Sequence, residues 1–170
     1  MRKIVVVGDT HISDFKDIAN SIIKYCESAD WVIHVGDYIT KNVLEGFQNL
    51  KKVHFKGVYG NADNLAVKNS LKPKEIIEIS NIRIGIIHPH FGGSDSYLET
   101  RILKSFMYDN VQIIIFGHTH DPTIFIKNGI LLINPGKGYL DSNSLNPEAT
   151  IVLLEIGDHL NAKIVQIELG

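Results

Sequence analysis

Five short apolar runs in this chain each break off at Asp, Asn or His, and this restricts the fold more than any other feature. Residues 4–7 lead through Gly8 into Asp9-Thr10-His11, and residues 31–35 lead into Gly36-Asp37. Residues 53–58 lead into Gly60-Asn61-Ala62-Asp63, residues 82–87 into His88-Pro89-His90, and residues 112–116 into Gly117-His118-Thr119-His120. The first run, Ile4-Val5-Val6-Val7, is β-branched and uninterrupted, as expected of a strand buried on both faces. In open α/β sheets ligands gather where strands end, so five polar clusters at five strand ends are expected to converge.

The spacing between the runs fills in the architecture. Residues 13–28 carry Ile18, Ile22 and Tyr25 at helical spacing, with Ser13 or Asp14 as N-cap. Residues 41–50 and 96–108 read as further helices, the second with Leu98, Ile102 and Phe106 on one face. Strand and helix alternate through the first sixty residues, which argues for crossover units around a parallel sheet. The pattern then changes to hairpins. Residues 75–79 pair with 82–87, residues 123–127 with 130–134 through an Asn128-Gly129 turn, and residues 150–156 with 162–169. Residues 135–147, rich in Gly, Asn and Pro, read as an ordered loop. The predicted class is α/β, with two sheets packed face to face and helices outside.

Length and composition set the outer limits. A chain of 170 residues suits a single domain, so residues 1–170 are taken as one unit. Apolar residues at 44% and charged residues at 21% are ordinary for a soluble globular protein. A net charge of −2 with no block of like charge gives no electrostatic grip on long nucleic acid or anionic lipid. Cys26 is alone, so no intramolecular disulfide forms, which fits a reducing cytoplasm. The apolar stretch at residues 4–8 is too short for a signal sequence or membrane span.

The polar clusters are rich in carboxylate and imidazole and contain no thiolate. Such a set suits Mn, Fe, Zn, Ni or Co in a reactive site and argues against structural zinc. Side chains two apart on extended backbone share a face, so Asp9/His11 and His118/His120 can each grip one ion. Seven candidates, Asp9, His11, Asp37, Asn61, His88, His118 and His120, exceed what one ion needs. Two ions sharing a carboxylate would use them all, and such a pair polarises phosphate oxygens and brings a bridging hydroxide within reach of neutral pH. Glycines beside the ligands (Gly8, Gly36, Gly60, Gly117) allow close backbone approach.

These motifs, in this order and followed by Asn134-Pro135-Gly136, resemble the calcineurin-like metallophosphoesterase family, in particular its small archaeal and bacterial phosphodiesterases. The likeness covers nearly the whole chain, the C-terminal hairpin being matched to the family's second sheet. It implies that Asp9, His11 and His120 hold one divalent ion and that Asn61, His88 and His118 hold another, with Asp37 between them. Manganese is the expected ion, with nickel, zinc, cobalt, iron and magnesium as alternatives. Two positions depart from the pattern. Many members have a proton-donating His after the Asn, where this chain has Ala62, which leaves His90 as the substitute acid. Pro89 stands where small members often have Gly, and its fixed φ either tilts His88 or His90 from the family geometry or stiffens the loop.

The expected function is hydrolysis of small phosphodiesters, with Asn61 and His90 as catalytic residues beside the metal ligands. The alternative is a non-catalytic scaffold of the same fold, because the chain also resembles the retromer subunit of vacuolar sorting in size and motif order. That relative lacks the acid His and has lost ligands at the motifs where Asp37 and Asn61 stand here. Asp63 is read either as a cap of the following helix or as a support for a ligand, and His34, His54 and His159 as strand or surface residues. Gly136-Lys137 lacks the glycine spacing of a P-loop, and Lys72 and Lys74 read as solvated. Partners are a small phosphodiester and, as an open matter, further copies of the chain; membrane and long nucleic acid are not expected.

Overall fold

The computed structural model describes residues 1–91, 95–145 and 147–168. The apolar runs form two five-stranded sheets. In the first, β1 (Arg2–Val7) lies beside β2 (Trp31–His34) and β2 beside β3 (Phe55–Gly57), all parallel. The second sheet contains β4 (Lys74–Ile79), β5 (Ile82–Ile87), β6 (Ile113–Phe116), β7 (Thr123–Lys127) and β8 (Ile130–Asn134). Its order is β4-β5-β6-β8-β7, parallel in the middle and antiparallel at both edges.

The C-terminal hairpin, β9 (Ala149–Ile156) and β10 (Leu160–Ile167), does not join the second sheet as expected. It extends the first, with β9 antiparallel to β1 in the register Ile4↔Leu154, giving the order β10-β9-β1-β2-β3. The reason is packing: Val152 and Leu154 continue the inward face that Ile4 and Val6 begin. Leu169, predicted in this strand, and Asn146, in the predicted loop, lie outside the described residues.

Alternation along the strands creates three apolar layers. Ile4, Val6 and Ile33 point inward and meet Ile84, Ile86, Ile113 and Ile115 of the second sheet. Val5, Val7 and Val32 point outward, where α1 (Asn20–Ser28) and α2 (Lys41–Lys51) cover them with Ile22, Cys26, Leu44 and Phe47. On the far side, α4 (Leu98–Ser105) and the residue that follows it cover Ile114 and Leu132 with Ile102 and Phe106. This is the helix–sheet–sheet–helix sandwich expected from the sequence.

Several boundaries differ from the sequence reading, each for a tertiary reason. The predicted helix over 13–28 is a 3-10 turn at Phe15–Asp17, capped by Asp14, then an extended step at Ile18 and Ala19 before α1. Phe15 turns inward to pack edge-on against Phe47 at 5.3 Å, in space left by Gly46, while its amide donates to Asn42 Oδ1 at 2.8 Å. Docking on α2 therefore interrupts the helical periodicity. Residues 52–54 form a 3-10 turn with Val53 exposed, so β3 begins at Phe55. The short helix α3 (Leu65–Lys68) is capped by Asn64, which accepts from the Val67 amide at 3.1 Å; the capping role considered for Asp63 is thus corrected. The helix predicted over 96–108 is α only from Leu98 to Ser105, and Met107 and Tyr108 are exposed beyond it.

Candidate metal centre

The ends of β1, β2, β3, β5 and β6 meet at one edge of the sandwich, which brings the five polar clusters together. Asp9 and Asp37 are buried at its floor and His88 beside them; His11, His118 and His120 are half-buried, and Asn61 is exposed at the rim. Asp9, His11, Asp37, His118 and His120 have φ of 46°, 45°, 59°, 85° and 61°. Left-handed backbone at a non-glycine residue costs about 1–3 kcal/mol and persists where the surroundings enforce it, so these five positions carry strain, as does Ile39 beside Asp37 at φ 79°.

Two groups of donors face each other. In one, His120 Nε2 lies 3.3 Å and His11 Nε2 3.9 Å from Asp9 Oδ1. In the other, His88 Nε2 lies 3.4 Å from Asp37 Oδ2 and 3.0 Å from Asn61 Oδ1, which is also 3.0 Å from His118 Nδ1. Asp37 Oδ2 stands between the groups, being also 3.3 Å from His11 Nε2. Asp9 approaches both: with His11 and His120 it makes one cluster of metal-ligand spacing, and with Asp37 and His88 a second. Asp9 is common to both groups, and Asn61 and His118 adjoin the second through the Asn61 amide oxygen.

The donor chemistry fits divalent cations. His88 Nδ1 lies 2.8 Å from the Val35 carbonyl and donates to it, so in the neutral ring Nε2 presents a lone pair to Asn61 Oδ1 and Asp37 Oδ2. In that form three electron-pair donors face one another, a gap that a proton on His88 or a metal ion fills. His11 Nε2 is buried with no hydrogen bond, Asp37 Oδ2 lying 3.3 Å and Asp9 Oδ1 3.9 Å away. A cation resolves both conflicts. Burial alone would raise the Asp9 carboxyl, but His11 and His120, the nearby His88 and the His118 amide hold it well below the usual carboxylate range. Asp37 is likewise lowered, against its burial, by His11, His88 and the Ala62 amide. The approach of Asp37 and then Asp9 raises His11 to about 9, so without metal a proton on His11 occupies part of the cation's place.

Neighbouring residues fix the ligand loops. Asp63, also buried, accepts from the Asp37 and Gly60 amides through Oδ2 (3.0 and 2.7 Å) and from Ile39 through Oδ1 (2.7 Å). It ties the Asp37 loop to the Asn61 loop, which is the supporting role the sequence left open. Asp37 Oδ1 packs so closely on Gly60 that no side chain fits there, and a Cβ on Gly117 would stand 2.6 Å from Asp9 Oδ2. His118 donates its amide to Asp9 Oδ2 at 3.0 Å. Asn134 is fully buried and braces the loop between the two histidines by donating to Thr119 Oγ1 at 2.9 Å. Pro89 sits in a tight turn closed by the His90 amide on the His88 carbonyl at 2.9 Å, with His88 Nε2 turned to Asn61 Oδ1. His90 is exposed, its ring 5.8 Å from that of His118, at the rim and outside the donor groups.

His34 was read from sequence as an ordinary strand or surface residue, and it proves to be part of the support. It is fully buried and stacked on Tyr38 at 3.7 Å, and burial pushes its imidazole down to about 3. Its Nδ1 accepts from the Gly36 amide at 3.2 Å, which leaves Nε2–H to donate to Thr10 Oγ1 at 3.3 Å. Thr10 in turn donates to the Asp37 carbonyl at 3.3 Å. One signal was present: an imidazole inside the otherwise apolar run that precedes Asp37. Tyr139, also missed, sets its ring edge-on to His11 and His120 at 5.8 and 6.1 Å. His54 packs on Trp31 and His159 sits beside the β9–β10 turn, both apart from the site.

Residues 2–159 match the model of the calcineurin-like phosphoesterase superfamily domain. The chain belongs to that superfamily. A probable metallophosphoesterase of Methanocaldococcus jannaschii is 36% identical over 169 residues, covering 96% of this chain and 80% of that one. A phosphodiesterase of the same organism is 34% identical over 152 residues, covering 81% and 86%. Among solved structures, Vps29 of Chaetomium thermophilum superposes with a TM-score of 0.77 over 98% of this chain and 97% of its own, at 16% identity, a likeness of fold. In this calcineurin-like phosphoesterase no described helix is long and apolar enough to cross a membrane.

Proposed function

We propose that this phosphoesterase is a dinuclear, divalent-metal-dependent phosphodiesterase that acts on small diesters in the cytoplasm, with manganese as its ion. The carrying observation is the facing set of lone pairs at His88 Nε2, Asn61 Oδ1 and Asp37 Oδ2, with the orphaned His11 Nε2 beside it. Asp9, His11 and His120 would hold one ion and Asn61, His88 and His118 the other, with Asp37 between. Divalent ions there supply Lewis acidity toward phosphate oxygens and activate water for attack on phosphorus.

The chain's own groups orient and protonate. Asn61 turns its amide oxygen to the imidazoles, and its NH2 would donate to an oxygen of a bound phosphate. His90 at the rim serves as proton donor to the leaving group, since Ala62 offers none. With only this exposed imidazole available, esters with good leaving groups are favoured, and diesters over monoesters. A non-catalytic scaffold is the second reading, supported by the likeness in fold to Vps29. The complete donor set favours the enzyme.

The test uses metal-free protein reloaded with Mn, Ni, Co, Zn or Mg, assayed on bis(4-nitrophenyl) phosphate and 4-nitrophenyl phosphate, with Asp37→Asn as control. The enzyme reading expects metal-dependent diester turnover, highest with Mn and lost in the variant. If metal binds by calorimetry yet no ion gives turnover above the variant, the scaffold reading takes its place.

A further inference from the structure

Two recesses flank the donor groups, and they differ in charge. Beyond His120 lies one of about 290 Å³, where Lys137 shares the wall with the carboxylate of Glu148 and the amide of Gln166. Beyond Asn61 and His88 lies a cleft of about 270 Å³ between Tyr59, Pro73, Lys68 and His90, with no carboxylate among the described residues that line it. Lys68 ends α3, and its Nζ donates to the Asn61 backbone carbonyl at 3.1 Å. No carboxylate pairs with it among the described residues. The ammonium is therefore held one peptide away from a proposed metal ligand, at the mouth of a cleft that opens from the site. The carbonyl uses one of its three donors, leaving the others for a ligand.

We propose that this cleft receives a second anionic group of the substrate, a phosphate or carboxylate on one substituent of the diester, and that Lys68 recognises it. The proposal rests on the phosphodiesterase reading and narrows its substrate class. A diester lying across the donor groups places one substituent toward each recess. An extra negative charge on the far side would face Glu148, whereas on the near side it meets an ammonium with no competing carboxylate among the described residues. Lys68 is only partly buried, so the preference is modest and weakens with salt.

The experiment compares three 4-nitrophenyl aryl phosphodiesters that share one chromogenic leaving group: 4-carboxyphenyl, its methyl ester, and 4-phosphonophenyl. The metal-loaded full chain is expected to favour the charged substrates by roughly two- to fivefold in kcat/KM, mostly through KM and less at high ionic strength. Carboxylate and phosphonate rates show which anion fits better. Lys68→Arg keeps the preference, Lys68→Ala loses it and Lys68→Glu inverts it. In parallel, the zinc-loaded protein is titrated by NMR with 4-carboxyphenylphosphonate and with phenylphosphonate. The same ratio is expected in Kd, with amide shifts at Asn61, Ala62 and Lys68. Turnover without a charge preference in either readout, or a preference that survives in Lys68→Ala, overturns the proposal and leaves the enzyme reading standing. A Lys68-dependent binding preference without turnover by any metal ion retires the enzyme reading and keeps the anion cleft.

Discussion

At the scale of single residues, the site is held by groups that do not belong to the donor set. Asp63 accepts three amides and in doing so holds the Asp37 and Asn61 loops at one spacing. Asp63→Asn sets an NH2 against at least one of those donors, so metal affinity should fall by about 10- to 100-fold, read by calorimetry on the metal-free protein. His11 gives a pH prediction. Its folded value of about 9 lies above the ordinary 6.5, so the protonated imidazole stabilises the metal-free fold. That contribution is complete below 6.5 and disappears as pH rises through about 9. A bound ion must displace the same proton, so apparent metal affinity should climb with pH over this window and level off above it. A histidine NMR titration of the metal-free chain, alongside metal titrations at several pH values, checks both parts. At this scale the sequence offers the candidate ligands and leaves Asp63 between capping and support, while His34 escapes it, because both act through backbone amides and carbonyls that only folding brings within reach.

Among the elements, strands were more legible than helices. β5, β7 and β8 run from end to end where the apolar pattern set them, and the β7–β8 turn has Asn128 and Gly129 at φ 53° and 77°, as such hairpins require. The helices were cut by tertiary contacts: Phe15 by its seat on Phe47, and α4 by its landing on the second sheet through Phe106. Phe106 is 2 % exposed and lies directly over Gly85 of β5. Phe106→Ala should therefore cost about 3–5 kcal/mol in denaturant unfolding. The donor groups stand on the opposite relation, loops leaving the strand ends, so the variant's remaining folded fraction should still bind metal.

For the molecule as a whole, the site joins parts far apart in the chain: Asp9 and Asp37 come from the first sheet, and His88, His118 and His120 from the second. An ion held by both sheets should stabilise the whole sandwich, by about 2.7 kcal/mol at a hundredfold excess over Kd. Chelation should lower Tm, and Asp37→Asn should flatten the response, both read by thermal unfolding with and without Mn. The sequence by itself determined the two-sheet class and the strand ends, because burial selects apolar β-branched runs, and it marked seven candidate donors at those ends. Only the tertiary structure decided which sheet takes the C-terminal hairpin, that Asp9 approaches both donor groups, and that Lys68 stands at a cleft beside Asn61. The physical reason is common to all three. Local pattern reports whether a residue is buried and in what conformation, but which distant residue it meets depends on how complete layers pack, and no window of sequence contains that.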